Sequence, residues 1–172
     1  MITEGNALKT LIVYYSMSGN CEFAANSIAE KLGADILRIE PEKAYPDSGF
    51  KKFLYGGRSA VMGEMPPLVP YKFEPEQYGR VILGFPVWAA NPAPPMRTFI
   101  RDNLEALKAK RLAVFACQGG SGANKAFSKL KKKFGLTDFE AELVLIDPKS
   151  DPKPGNAELI GRFCLALSSD DE

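Results

Sequence analysis

The sequence predicts a three-layer α/β fold in which five parallel strands, in the order 2-1-3-4-5, carry helices on both faces of the sheet. Three observations predict it. Five short apolar runs alternate with segments of helical periodicity, which is the pattern of βαβ units. Three of the runs are apolar throughout, as parallel strands covered on both faces are. The other two contain or follow charged residues, which is typical of edge strands.

The continuously apolar runs at residues 11–15, 81–85 and 112–116 are the predicted central strands. Residues 35–39 contain an aspartate and an arginine, and residues 143–146 follow two glutamates, so both are predicted at the edges. A second strand at the edge beside a central first strand requires the chain to go outward once and then cross back. That path is the order 2-1-3-4-5.

Helices are predicted between the strands, where apolar residues recur every three or four positions. The first should end at Gly33 and the third at Gly135, because glycine favours the left-handed conformation that closes a helix. The second should begin beside Pro94, since proline is favoured in a first turn. The apolar positions are Ala24, Ile28 and Leu32; Met96, Ile100, Leu104 and Leu107; Ala126, Leu130 and Phe134; and Leu159, Phe163 and Leu167.

The connection between the second and third strands is long, at roughly forty residues. Residues 50–62 could form its helix, although the Gly56–Gly57 pair would weaken that helix by about 1 kcal/mol per glycine. The proline-rich stretch 66–70 is predicted to be extended. Two interpretations stay open: a long surface connection, or a segment in which Tyr55, Gly56, Gly57 and Arg58 help to cover a ligand.

The amino-acid composition excludes several kinds of catalytic and metal site. The 172 residues suit a single domain, 1–172, with its core at about 10–168, and they include no histidine. The missing histidine excludes Ser-His-Asp and Cys-His nucleophiles and histidine-ligated zinc. Three cysteines far apart in sequence indicate neither a disulfide framework nor a local metal cluster, so no metal site is predicted. Any chemistry must come from a bound cofactor or from carboxylates.

The net charge and the hydropathy of the sequence limit the classes of partner that the protein can bind. With 22 basic against 21 acidic residues the net charge is +1, which gives no electrostatic case for binding nucleic acid or an acidic membrane surface. The first ten residues lack a hydrophobic signal core, and the run 11–15 is too short to cross a bilayer. We therefore expect a cytoplasmic protein without membrane insertion; the sequence leaves its oligomeric state unknown.

In such a sheet, ligands bind beyond the carboxyl ends of the strands, where the strand order reverses. The loop after the first strand, residues 16–21, offers hydroxyls, a glycine and the N-terminus of a helix, which are the groups that bind phosphate. It matches neither the Walker A motif nor G-x-G-x-x-G. The alternative is that Ser18 simply caps the helix.

Two further loops should reach the same edge. Residues 84–95 contain the sole tryptophan, Trp88, which could stack on a flat ligand for about 0.5–1.5 kcal/mol or could pack as core or lid. Residues 117–122 contain three glycines, which let the backbone approach a ligand closely or form a tight turn.

Together the three loops resemble the cofactor site of the flavodoxin family. Ser16, Ser18 and Gly19 match the family's phosphate loop, Ser/Thr-x-Thr/Ser-Gly-x-Thr; Asn20 takes the variable place, and Cys21 departs from the final threonine. Residues 84–88 resemble the loop that sets an aromatic residue against the isoalloxazine ring. Residues 118–122 resemble the final loop at the flavin edge. The resemblance covers about residues 11–167.

The resemblance implies a flavodoxin-like fold and FMN as the cofactor, in preference to FAD, with no catalytic side chain. The phosphate would lie against the first loop, and the ring would lie between the other two. The implied cofactor-binding residues are Ser16, Met17, Ser18, Gly19, Asn20, Cys21, Pro86, Val87, Trp88, Ala89, Ala90, Asn91, Cys117, Gln118, Gly119, Gly120 and Gly122.

Two departures from the family pattern have physical consequences. A thiol at Cys21 replaces a hydroxyl donor, which would weaken one phosphate hydrogen bond worth about 1.5–3 kcal/mol. At a helix N-terminus that thiol should tend toward the thiolate when phosphate is absent. The family often has glycine where the backbone changes conformation beside the flavin, and here Ala89–Ala90 follows Trp88. A positive φ at either alanine would cost about 1–3 kcal/mol.

The implied function is that of an FMN-binding redox protein that transfers electrons through bound flavin to a redox partner protein or a small electron acceptor. One alternative is an FMN-dependent NAD(P)H:quinone reductase; another is a binding or regulatory domain that has lost flavin. The carrier is favoured over the enzyme. The basic segment 129–133 is either a solvated face that compensates the helix dipole, or a patch for a partner or nucleotide.

Overall fold

The computed structural model describes residues 9–46 and 49–169, and within these ranges five parallel strands form one sheet. The predicted order is confirmed, because the strands lie in the order β2-β1-β3-β5-β6, which is 2-1-3-4-5 among the parallel strands. A two-residue strand, β4, was not predicted and pairs antiparallel with the end of β3. The strands are β1 (Thr10–Tyr14), β2 (Asp35–Arg38), β3 (Arg80–Trp88), β4 (Asn91–Pro92), β5 (Arg111–Gln118) and β6 (Glu142–Ile146).

The burial of each strand follows its position in the sheet. All five residues of β1 are buried, as are the first six of β3. By contrast, β2 is mostly exposed, and β6 alternates between buried and less buried residues. The assignment of central and edge strands from charge is therefore confirmed. Alternate residues of β1 face opposite sides of the sheet, so that Val13 enters one core and Ile12 the other.

The helices form the two outer layers. They are α1 (Asn20–Leu32), α2 (Gly49–Val61), α3 (Pro94–Asp102), α4 (Leu104–Lys108), α5 (Ala123–Phe134) and α6 (Asn156–Ser169). Helices α1 and α6 cover one face around Ile28 and Phe163. Helices α3 and α5 cover the other, around Phe99 and Phe127. None of the helices in the described ranges has the length and apolar character that a membrane span requires.

The predicted helix ends are largely confirmed. Gly33 closes α1 at φ 63° and Gly135 closes α5 at φ 62°, both left-handed. The single helix predicted from Pro94 through Leu107 is wrong, because the chain breaks it at Asn103. The Asn103 side chain donates to the carbonyl of Phe99 and to the hydroxyl of Tyr71, which ends α3 there.

The face of α6 is also shifted from the prediction. Leu159 is 42% exposed, and the neighbouring Ile160 is buried in its place with Phe163 and Leu167. The segment after α2 runs extended, as predicted, and Pro41 forms a bridge with Leu68. Through this bridge, the later part of the long connection lies against the segment that directly follows β2.

Candidate cofactor-binding site

The three predicted loops meet at one cleft of about 270 Å³ at the carboxyl ends of β1, β3 and β5. Two of its lining residues, Lys52 from α2 and Asp147 after β6, were not predicted. Since Asp147 is the sole carboxylate among the described residues that line the cleft, no carboxylate pair is available there for acid–base catalysis. The predicted residues that line it are Ser16, Met17, Ser18, Asn20, Cys21, Pro86, Val87, Trp88, Cys117, Gln118 and Gly119.

Residues 16–21 form a tight turn into the start of α1. Gly19 is the N-cap residue, at φ 94° in the left-handed region, and its N–H donates to Oγ of Ser16 over 3.1 Å. The alternative that Ser18 caps the helix is wrong, since no side chain caps α1. Phe23 N–H donates to the Gly19 carbonyl, and the N–H groups of the turn before it have no carbonyl partner in the helix. They are therefore available to an anion.

Asn20 joins this turn to a fourth loop, which follows β6. Its Oδ1 accepts hydrogen bonds from the backbone N–H of Lys149, over 2.9 Å, and of Ser150, over 3.1 Å. Its Nδ2 lies 3.5 Å from Oδ1 of Asp147. The Asn20 side chain thus holds the fourth loop in place beside the predicted phosphate loop.

The same loop brings a cation to the turn. A Cβ placed on Gly19 would lie 2.7 Å from Nζ of Lys149, so the ammonium group lies directly beside the Gly19 backbone. Lys153 in the same segment pairs with Asp151, whereas Lys149 forms no ion pair within the described residues. No motif marks Lys149 in the sequence; its place just after the last strand was the available signal.

Arg38 supports the turn from the outside. Its Nη2 donates to the carbonyl of Ser16 over 3.0 Å, and its guanidinium pairs with Glu22 and Glu40. Since Glu22 lies in the first turn of α1, this arginine ties the end of β2 to both the turn and the helix.

Cys21 and Cys117 are both buried, and both line the cleft. Burial raises the pKa of the Cys21 thiol well above its ordinary value. The thiolate predicted at this helix N-terminus is therefore wrong, because desolvation of the charged form outweighs the helix dipole. No group of three or more Cys, Asp or Glu in the described part of the chain could hold a metal ion.

Trp88 forms part of the cleft wall and also packs against its neighbours. Its ring meets Tyr15 edge-on at 5.9 Å and Tyr45 edge-on at 5.1 Å between centroids. Helix α2 lies against the same ring, since a Cβ on Gly56 would come within 3.3 Å of it. Tyr55 and Arg58 line a separate cavity beside Tyr45.

After Trp88 the chain turns back through two strained alanines. Ala89 has φ 50° and Ala90 has φ 58°, and the pair Trp88–Asn91 closes a two-residue hairpin turn that usually contains glycine or asparagine. Asn91 Nδ2 donates to the Ala89 carbonyl over 2.6 Å, and Lys129 Nζ donates to the Ala90 carbonyl over 3.1 Å. These bonds hold both alanines at positive φ, the conformation whose cost was considered from the sequence.

The loop after β5 packs against this turn. A Cβ on Gly122 would come within 2.8 Å of Ala90 Cα, which explains the glycine there. Ala90 and Gly122 line a neighbouring cavity that shares Gln118 with the cleft. The predicted residues that do not line the cleft itself are Gly19, Ala89, Ala90, Asn91, Gly120 and Gly122.

Comparison with known proteins agrees with this architecture. Similar solved structures include a candidate flavoprotein from Bacteroides eggerthii (TM-score 0.74, 22% identity, covering 93% of this chain and 98% of that one). A flavoprotein from Lactobacillus acidophilus in complex with FMN has a TM-score of 0.70 at 21% identity, covering 83% of this chain and 95% of that one. Flavodoxin 2 from Bacillus cereus has a TM-score of 0.59 at 20% identity, covering 94% and 99%. At these identities the likeness establishes the fold.

The sequence itself establishes the family. A model of the flavodoxin family matches residues 9–149, which span the sheet from β1 to the loop that holds Lys149. The chain therefore belongs to the flavodoxin family.

Proposed function

We propose that this protein binds FMN in the cleft and transfers electrons through the bound flavin to a redox partner protein or a small acceptor in the cytoplasm. The observation that carries the proposal is the turn 16–21. Its serine hydroxyls line the cleft, the first N–H groups of α1 have no carbonyl partner in the helix, and the Lys149 ammonium lies beside the Gly19 backbone. This set of donors suits a phosphate group rather than a neutral ligand.

The charge at the turn fits a phosphomonoester. The N-terminus of α1 contributes the equivalent of about half a positive charge, and Lys149 adds a full one. Ser16 and Ser18 place hydroxyl groups on the same turn. The buried Cys21 thiol, in the place of the family's threonine, is only a weak donor to a phosphate. Lys149, from a different loop, supplies the compensating interaction.

The rest of the cleft fits a flat ring. Pro86, Val87 and Trp88 line it from the end of β3, and Cys117, Gln118 and Gly119 line it from the end of β5 and the loop that follows. The ring of FMN supplies the redox chemistry when bound, and these side chains orient it and limit its contact with water. The strained turn at Ala89–Ala90 directly follows Trp88 and is held by Asn91 and Lys129.

FMN and riboflavin separate the phosphate contribution from that of the ring. Quenching of flavin fluorescence should show that the protein binds FMN more tightly than riboflavin. Lys149→Gln should weaken FMN binding about 3- to 10-fold at low salt, since an exposed charged hydrogen bond is partly screened, and should leave riboflavin binding unchanged. Lys153→Gln is the matched control, because it removes the same charge from the same segment. Absence of saturable quenching by either flavin would support a domain that has lost flavin and would overturn the proposal.

Turnover distinguishes the carrier from an enzyme. With NAD(P)H and a quinone but no partner reductase, the FMN-loaded protein should consume little NAD(P)H. Sustained consumption that depends on both substrates would show an FMN-dependent quinone reductase instead.

A further inference from the structure

A second cavity, of about 450 Å³, is lined by residues of β4, α3 and α5 and by Gly63, which follows α2. It is separate from the proposed FMN cleft and shares no lining residue with it. Among the described residues that line it, four are cationic and none is acidic. They are Gly63, Pro92, Arg97, Lys129, Leu130, Lys132 and Lys133.

Arg97 is the unusual member. The residue is only 5% exposed, and its Nη2 donates to the carbonyl of Ala60 over 2.8 Å and to Oδ1 of Asn91 over 3.3 Å. Its Nη1 is buried and has no hydrogen-bond partner within the described residues. Burial lowers the pKa of the guanidinium, and Tyr45 is the group that counteracts this. No carboxylate in the described part of the chain pairs with it.

A buried, unpaired guanidinium is expensive for a protein. Taking a charge out of water costs several kcal/mol unless an opposite charge and full hydrogen bonding replace the water. For that reason buried arginines are almost always paired. Because Arg97 lines the cavity, an anion bound there can supply the opposite charge that the described residues do not provide.

The lysines that line the cavity with Arg97 also lack carboxylate partners among the described residues. Lys129 Nζ donates to Oδ1 of Asn91 over 2.9 Å, so one neutral amide oxygen accepts from both cations where a carboxylate would have neutralised them. Lys132 and Lys133 form no ion pairs within the described residues. By contrast, Lys131 on the same helix lies near two carboxylates, at 3.4 and 3.6 Å. Compensation of the helix dipole explains lysines at the end of α5 but not the unpaired Arg97 on α3.

We propose that this cavity binds a phosphorylated small molecule or free diphosphate, with Arg97 and the lysines as its anion-binding groups. Four cationic residues around one cavity suit a ligand with more than one negative charge. The volume lies in the range of small-molecule sites and exceeds what a single carboxylate needs. The inference does not depend on FMN binding.

The test is calorimetric titration with inorganic pyrophosphate at constant ionic strength. The native protein should bind it saturably. Lys132→Gln/Lys133→Gln, which changes only exposed side chains, should weaken binding at least 10-fold, and Arg97→Met should do the same. Lys131→Gln is the control and should bind as the native protein does, because it removes the same charge from the same helix outside the cavity. Any pyrophosphate that binds at the 16–21 turn instead should be lost in Lys149→Gln and kept in the cavity variants.

The outcomes are decisive. Absence of saturable binding, equal weakening by Lys131→Gln, or weakening by Lys149→Gln alone would overturn the proposal. A parallel titration with ADP identifies the source of the phosphate: tighter binding of ADP indicates a nucleotide, and equal binding indicates the free diphosphate. A short polyglutamate peptide that binds more tightly than pyrophosphate would show an acidic protein segment as the ligand and would also overturn it.

Discussion

Two arginines in this molecule are almost equally buried and are treated in opposite ways. Arg80, at the start of β3, is 1% exposed; it pairs with Glu140 over 2.7 Å and donates to the carbonyl of Leu167 over 3.1 Å. Arg97, on α3, is 5% exposed, and its hydrogen-bond partners in the described residues are neutral. The chain neutralises the first charge itself. The second is what a site for an external anion requires.

The comparison separates structural from functional charge. The carboxylate beside Arg80 lies just before β6 and also pairs with Arg111, so it joins the amino ends of two central strands to the loop before β6. Beside Arg97 the neutral side chain of Asn91 takes the place of that carboxylate, and a second cation, Lys129, donates to the same oxygen. Among the described residues, a carboxylate pairs with the buried arginine that joins the strands, and none pairs with the buried arginine where we propose a ligand.

The largest expected effect on stability comes from the ion pair between Arg80 and Glu140. Glu140→Gln should lower the free energy of unfolding by about 2–4 kcal/mol, because it removes the carboxylate that pairs with the buried Arg80 guanidinium. Urea denaturation measures it. Glu158→Gln, which breaks the exposed pair with Arg162, should change stability by less than about 0.5 kcal/mol. A similarly small loss for Glu140→Gln would remove the distinction between the two arginines.

Arg97→Met should behave in the opposite way. Without added anion, the free energy of unfolding should be unchanged or should rise by up to about 2 kcal/mol, because a buried, uncompensated charge is replaced by an apolar side chain of similar length. The same urea denaturation measures it. A loss of 3 kcal/mol or more would show that Arg97 is structural, like Arg80.

Added pyrophosphate should stabilise the native protein through the same cavity. At ten times the dissociation constant, binding to the folded state alone raises the free energy of unfolding by about 1.4 kcal/mol. Thermal unfolding at constant ionic strength measures the shift, which Arg97→Met should abolish and Lys131→Gln should retain. Equal stabilisation of the native protein and Arg97→Met would assign the effect to another surface.

The smallest expected effect concerns the strained turn. Ala90→Gly should raise the free energy of unfolding by about 0.5–1 kcal/mol, because relief of the left-handed alanine exceeds the added entropy of glycine in the unfolded chain. Ala106→Gly in α4 is the control and should lower it by about 1 kcal/mol, since its backbone is helical. A loss of stability in Ala90→Gly would show that Asn91 and Lys129 hold a turn without strain.

Local patterns were enough to predict the sheet and the position of the cleft. Strand burial and order follow from apolar runs and edge charges, and Gly33 and Gly135 end their helices as expected. The break between α3 and α4 was not predictable, because the apolar spacing continues through Leu104 and Leu107. The break depends on the Asn103 bond to Tyr71, a residue far away in sequence.

The missed features of the site have the same cause. Lys149 reaches the phosphate loop through a bond to Asn20, 129 positions earlier, and it lies after an edge strand with no motif. The prediction for Cys21 considered the helix dipole but not burial against Cys117. Nor does any sequence pattern mark Arg97 as buried and unpaired. Each of these properties arises from packing between distant segments.

A crystal structure of the protein grown with FMN tests the central claim most directly. The account predicts FMN in the cleft, with its phosphate held by Ser16, Ser18 and the Lys149 ammonium, and with its ring between Trp88 and the loop after β5. FMN bound in another cavity, or with its phosphate away from the 16–21 turn, would contradict the account.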